Sequence, residues 1–243
     1  MRRIGFAAVG LLFLAGAAAA QPTWSAIGFS TTPPNAPLII AAVDALMSSP
    51  AGKTFPGRML LQAQVADGAN PATHSVVPIY KSAAEREGFV QKLRDDPAWG
   101  IFQAEMAKLS QPVSVSQYRV LKTWGELVDT DQVWMGYAFA VQDPAAFVAA
   151  LDRLMASPSG KKFPGQAYLS VVVAGGITKV THLISVGFAS EAEMEAWTAT
   201  RDATPEWAAY IKASRQAADF LGASLSRDLK SWGPATLSGL NTR

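Results

Sequence analysis

Along 58–66, apolar Met59, Leu61, Ala63 and Val65 alternate with Arg58, Leu60, Gln62 and Gln64. A period of two puts one set on each face of a strand. The stretch 166–174 does the same, with Ala167, Leu169, Val171 and Val173 on the apolar face and Tyr168 and Ser170 opposite. Elsewhere the period is helical. Ile40, Val43, Leu46 and Met47 share one face, as do Val148, Leu151, Leu154 and Met155. Asn35 with Pro37, and Asp143 with Pro144, mark where these helices start, because Asn and Asp accept from free backbone N–H groups and Pro fits a first turn. Turn residues Asp67-Gly68 and Gly175-Gly176 lead into third strands at 73–81 and 181–188, which predicts two hairpins. Ser82 with Glu85, and Ser190 with Glu193, form capping boxes at a second helix. Asp96-Pro97 and Thr204-Pro205 restart that helix, so it comes in two pieces. First strands at 24–30 and 134–141 and last strands at 113–124 and 221–232 complete the series.

The order strand, helix, strand, strand, helix, strand thus occurs twice, and the residues repeat with it. Pro50, Gly52, Lys53, Phe55 and Pro56 return as Pro158, Gly160, Lys161, Phe163 and Pro164, an offset of 158 − 50 = 108. Thr73-His74 returns as Thr181-His182, and Lys122-x-Trp124-Gly125 as Lys230-x-Trp232-Gly233. Roughly a third of the paired positions are identical over about ninety residues. Chance does not produce this, and elements that alternate over short connections build one compact unit each. The chain divides into a leader 1–20, a first repeat 21–125, a linker 126–132, a second repeat 133–233 and a tail 234–243.

The leader has the form of a secretory signal peptide. Arg2 and Arg3 precede an apolar run from Ile4 to Leu14, and Ala18, Ala19 and Ala20 supply a small-residue cleavage site. Export to a bacterial periplasm, or secretion, is therefore expected, with no stable membrane insertion after cleavage. Removal of the leader takes the formal balance from 21 − 19 = +2 to 19 − 19 = 0. No basic run remains to hold nucleic acid. The chain has no cysteine, which excludes disulfides, thiolate metal sites and thiol nucleophiles. Ala51-Gly52-Lys53-Thr54 ends like a phosphate-binding loop, but position 47 is Met where that loop requires Gly.

Two βαββαβ units in tandem, with the shared Thr-His strand, resemble the dimeric α+β barrel (ferredoxin-like) superfamily, which includes antibiotic-biosynthesis-type monooxygenases, haem-degrading enzymes and stress-responsive barrel proteins. The resemblance covers about 24–233. It implies an α+β fold in which two ferredoxin-like repeats pack sheet to sheet as an intramolecular pseudo-dimer, with helices outside and a lumen between the sheets. It implies nothing firm about activity, because function resides in sites and not in folds.

The two histidines, His74 and His182, are equivalent residues and the candidate acid–base or haem-binding groups. The alternative for each is a structural histidine that bonds a neighbouring backbone carbonyl. Arg119 and Arg227 also recur; inside a lumen they would hold an acidic ligand, and the commoner role of such a residue is to pair with a surface carboxylate. Gln62, Gln64, Tyr168 and Ser170 face away from the apolar side and are the candidate polar contacts for a ligand in the lumen. They differ between the copies, so any pocket should be asymmetric. Six of the seven tryptophans recur in pairs and serve best as core anchors. No motif requires a cofactor or a metal. Three functional readings remain: a carrier of a small, largely apolar molecule between the sheets, an enzyme of monooxygenase or isomerase type using His74 or His182, and a scaffold for another protein.

Overall fold

A computed structural model describes residues 21–125, 130–175 and 179–234. The expected leader, residues 126–129 of the linker and the tail beyond Pro234 lie outside the described residues. The first repeat forms β1 (Thr23–Ser30), α1 (Ala36–Met47), β2 (Arg58–Ala66), β3 (His74–Tyr80), α2 (Ala83–Asp95), α3 (Pro97–Leu109) and β4 (Gln111–Trp124). The second forms β5 (Val133–Val141), α4 (Pro144–Ala156), β6 (Ala167–Gly175), β7 (His182–Phe188), α5 (Glu191–Asp202), α6 (Pro205–Ala217) and β8 (Ala218–Trp232). Every element expected from the sequence is present. Both capping boxes form, with Ser82 Oγ accepting from the Glu85 N–H and Ser190 Oγ from the Glu193 N–H. Asp96 and Thr204 cap the restarted helices α3 and α6.

The eight strands are antiparallel and close into one barrel in the order β1-β3-β2-β8-β5-β7-β6-β4. Each repeat contributes an arc of the same relative order, β4-β1-β3-β2 and β8-β5-β7-β6. The arcs join edge to edge, β2 to β8 and β4 to β6. No helix of the described residues is long and apolar enough to cross a membrane.

The last strands also fasten each arc to the other's helices, which explains the repeated Lys-x-Trp-Gly. Trp232 donates from Nε1 to Asp44 of α1 at 2.8 Å, and Lys230 pairs with the same carboxylate at 2.7 Å. Lys122 pairs with Asp152 of α4 at 2.6 Å, and Trp124 packs into the second repeat's core. These contacts hold the Asp44 carboxyl below its ordinary pKa, chiefly through Lys230. The repeated Ser-Pro-x-Gly-Lys is also structural. A Cβ on Gly52 would stand 2.0 Å from the Leu46 carbonyl oxygen, and one on Gly160 2.0 Å from that of Leu154. Only glycine lets the chain turn so closely under the helix end.

Three apolar clusters lie between sheet and helices. Phe29, Ile39 and Leu61 join α1 to the first arc, and Leu46, Tyr80, Phe89 and Leu93 seat α2. Phe139, Phe147, Leu151, Leu154, Leu169 and Ile184 join α4 to the second arc. The Trp232–Asp44 contact should be cooperative. Trp232→Phe and Asp44→Ala should each lower the denaturant midpoint, and their combination should show a coupling of about 1 kcal/mol. Strict additivity in chemical unfolding would show that the contact holds nothing together.

Candidate functional site

A fourth cluster lies inside the barrel. Leu60, Val77, Ile79, Val120, Trp134 and Tyr168 pack with Trp24, drawing on six strands and no helix. Tyr118 stacks on Trp24 with centroids 4.0 Å apart. The centre of the barrel is thus filled by its own side chains, and the polar positions expected there serve the packing. Ser170 is fully buried and accepts from Trp24 Nε1 at 3.0 Å. Gln64 donates to Ser75 Oγ at 2.9 Å, and Gln62 to Asp228 at 2.8 Å. Trp134 Nε1 donates to the other oxygen of Asp228. The two equivalent tryptophans therefore meet different acceptors, so the interior is asymmetric.

Sequence reasoning missed the charged members of this interior. Arg58 is 2% exposed and Asp131 is 3% exposed. Asp131 and Trp134 lie against Gly187. A Cβ on Gly187 would stand 2.8 Å from both Asp131 Oδ2 and the Trp134 ring, whereas the equivalent residue in the first repeat is Ile79. Burial pushes the carboxyls of Asp131 and Asp228 up to about 6, with Arg58 acting against that rise in both. Burial also raises the Tyr168 phenol far above its ordinary value. A position-by-position comparison of the copies, Ile79 against Gly187 and Val120 against Asp228, was the signal that could have found this group.

The histidines do not reach the interior. His74 stacks on Phe29 at 5.8 Å, and His182 packs toward Phe147 of α4 at 6.4 Å, so both lie on the helix-covered face. Strands β3 and β7 are four places apart around an eight-strand barrel, so the two imidazoles sit on opposite sides. Each Nδ1 bonds the hydroxyl of the preceding threonine, at 2.9 and 3.0 Å. Desolvation lowers both pKa values. The expectation of an imidazole pair in a lumen is therefore corrected, because the strand phase turns the rings outward. Arg119 and Arg227 are corrected for the same reason. Tyr118, Val120 and Ser226 take the inward positions, Arg119 is exposed, and Arg227 pairs with Glu191 outside the wall.

A cavity of about 260 Å³ lies elsewhere, between the second arc and helices α4, α5 and α6. Its floor is Phe139, Ala167, Ile184 and Phe220 from the strands, and its roof is Leu151, Leu154, Trp197, Trp207, Tyr210 and Ser214 from the helices. The walls are almost wholly apolar. The polar and charged residues of the lining are Tyr137, Tyr210, Ser214, Arg201 and Arg215. Arg201 lies 3.7 Å over the Trp207 ring, and Trp207 stacks on Tyr210. Burial raises the Tyr210 phenol, which stays protonated.

The duplication shows why the space exists on this side. At offset 108, Ala167 corresponds to Met59 and Ser214 to Met106. Met106 packs against Phe29, Ile39 and Leu61 in the first repeat. Two long side chains are thus replaced by two short ones in the same layer. The apolar periods of the two copies look alike, so the hole was invisible to pattern alone.

No protein-family model matches the chain, and neither does any curated protein. Solved structures do match over most of its length. A proposed monooxygenase from Lactobacillus acidophilus superposes with a TM-score of 0.62 at 13% identity, over 89% of this chain and 98% of its own. A second, from Fusobacterium nucleatum, gives 0.61 at 12% identity over 90% and 97%. A haem-binding protein from Thermus thermophilus gives 0.51 at 8% identity over 87% and 92%. The fold is that of the dimeric α+β barrel proteins. At these identities the likeness concerns the fold alone.

The residues around the cavity do not fit a haem. The volume is below the roughly 300–1,000 Å³ of drug-sized sites, and a porphyrin is a large ligand among these. No histidine lines the cavity, since His182 is turned toward Phe147. Among the described residues no group of three or more His, Cys, Asp or Glu side chains is placed to hold a metal.

The buried acids give a pH signature. With a folded pKa of about 6 against an ordinary value of 3.8, Asp131 and Asp228 hold protons more tightly when folded. Their burial therefore costs stability at neutral pH, and the cost is relieved as pH falls through about 6. His74 and His182 act in the opposite sense, and comparison with Asp228→Asn cancels them. The stability of Asp228→Asn relative to the native chain, measured by urea unfolding, should be greater at pH 7.5 than at pH 5. A difference independent of pH would show that Asp228 is ionised in both states.

Proposed function

We propose that this protein is an exported carrier that holds a small, apolar molecule in the cavity beneath α4 and α6 of its second repeat. One observation carries this reading: an apolar space bounded by aromatic rings, opened where the duplicate carries Met59 and Met106. A well-formed apolar pocket with a few polar groups is the default site of a folded domain. The site differs in place from the space between the sheets, which the interior aromatic residues fill. The signal-like leader supports periplasmic residence. The matching strand order of the two arcs supports descent from a dimer fused into one polypeptide, each repeat shielding the other's sheet.

The second reading is an enzyme of monooxygenase type working in the same cavity. The likeness to proposed monooxygenases supports it, as does the Tyr210 phenol, a protonated donor in a desolvated wall. His74 and His182 have no part in it. The scaffold reading has no comparable support, because a cavity of this kind is a cost to a protein that uses only its surface.

The cavity can be refilled from the protein's own duplicate. Ala167→Met with Ser214→Met restores the first repeat's residues. Native protein should quench its tryptophan fluorescence on titration with 2-naphthalenemethanol, since Trp124, Trp197 and Trp207 line the space. The refilled variant should remain folded and bind at least tenfold more weakly, the loss expected when about 1.4 kcal/mol of contact is removed. Equal binding by a folded variant would place the ligand elsewhere.

A further inference from the structure

The replacements that open the cavity are accompanied by replacements that charge it. Arg201 stands where the first repeat has Leu93, and Arg215 where it has Ala107. Leu93 is a core residue seated with Phe89 and Tyr80. The copy that lost Met59 and Met106 thus gained two guanidinium groups in the lining of the same space. No aspartate or glutamate lines it.

Arg201 is set for recognition more than for the surface. Its side chain is 13% exposed and its guanidinium carbon lies 3.7 Å from the centre of the Trp207 ring. Its Nε and one terminal nitrogen share a single oxygen of Asp202, at 2.9 and 2.8 Å. That carboxylate is half exposed and outside the lining, so it orients the head group from without. Arg215 lies on α6 eight residues beyond Trp207, about 12 Å along the axis, and is exposed. The lining therefore combines an apolar body with a cation over Trp207 and a second cation further along α6.

We propose that the cavity selects an amphipathic anion: a flat apolar body held among Trp197, Trp207, Phe139 and Ile184, with an acidic group on Arg201. An aryl carboxylate is the simplest member of this class. The assignment rests on the cavity being the binding site, and adds the sign and position of the ligand's charge. Guanidinium and carboxylate make charge-assisted bonds of matched geometry, and the low-dielectric wall strengthens them. An ammonium in the same place would face Arg201 with no acid to pair.

Three probes with one ring system separate these possibilities: 2-naphthoate, 2-naphthalenemethanol and 2-naphthylmethylammonium, titrated against full-length mature protein at low salt with tryptophan quenching as the readout. Native protein should bind naphthoate about tenfold or more tighter than the alcohol, and the ammonium most weakly. Arg201→Gln should bring naphthoate to within about twofold of the alcohol. Arg201→Lys should keep part of the preference. The native ranking needs no variant, so a folding defect in Arg201→Gln does not remove the test. Equal binding of naphthoate and alcohol by native protein, or a preference for the ammonium, overturns the charge assignment and leaves the cavity reading standing. If Ala167→Met with Ser214→Met weakens none of the probes, or native protein binds none, the cavity reading falls and this inference with it.

Discussion

The structure depends on two strand pairings, β2 with β8 and β4 with β6. A four-stranded arc alone would leave two edges and one apolar face in water. Joined at both seams, the arcs have no free edge, and interior side chains of one arc meet those of the other. Trp24 of the first repeat bonds Ser170 of the second, and Gln62 of the first bonds Asp228 of the second. The helices then have a continuous wall to pack upon. For a chain without disulfides this closure supplies the cross-linking that covalent bonds would otherwise give.

Much of this was legible because the repeat let each half check the other. Strand and helix positions agreed to within a few residues, and the phase of β2 and β6 was right: Leu61 and Leu169 meet helices, while Gln62, Tyr168 and Ser170 point inward. The phase of β3, β4 and β8 was not legible. His74 precedes Ser75 and Val76, and nothing in that run says which face meets the helices. In β4 a register shift between Val120 and Lys122 breaks the alternation that would have settled Arg119. The ligand space was misplaced for a different reason. Hydrophobic periodicity reports which side of an element is buried, not how well the volume there is filled. Ala167 and Met59 satisfy the same pattern and leave different amounts of room.

The two copies have diverged in distinct ways in the two layers. Inside the barrel, Ile79 and Val120 of one repeat face Gly187 and Asp228 of the other, and a buried arginine balances two acids. Under the helices, methionine and leucine face alanine, serine and arginine. The changes at Ile79, Val120, Met59, Leu93 and Met106 put polar groups or shorter side chains into the second repeat. Ile39 and Leu61 of the first repeat, and their counterparts Phe147 and Leu169, are each essentially inaccessible to solvent.

That one-sided packing divides labour within a single polypeptide. A hole under a helix weakens whatever surrounds it, and a lone domain of this size has little margin for one. Here the solid repeat is annealed to the hollow one along two seams and strapped to it by Trp232 and Lys230, so the margin is held in common. The hollow repeat is then free to drift in the shape and lining of its chamber, with its twin serving as ballast.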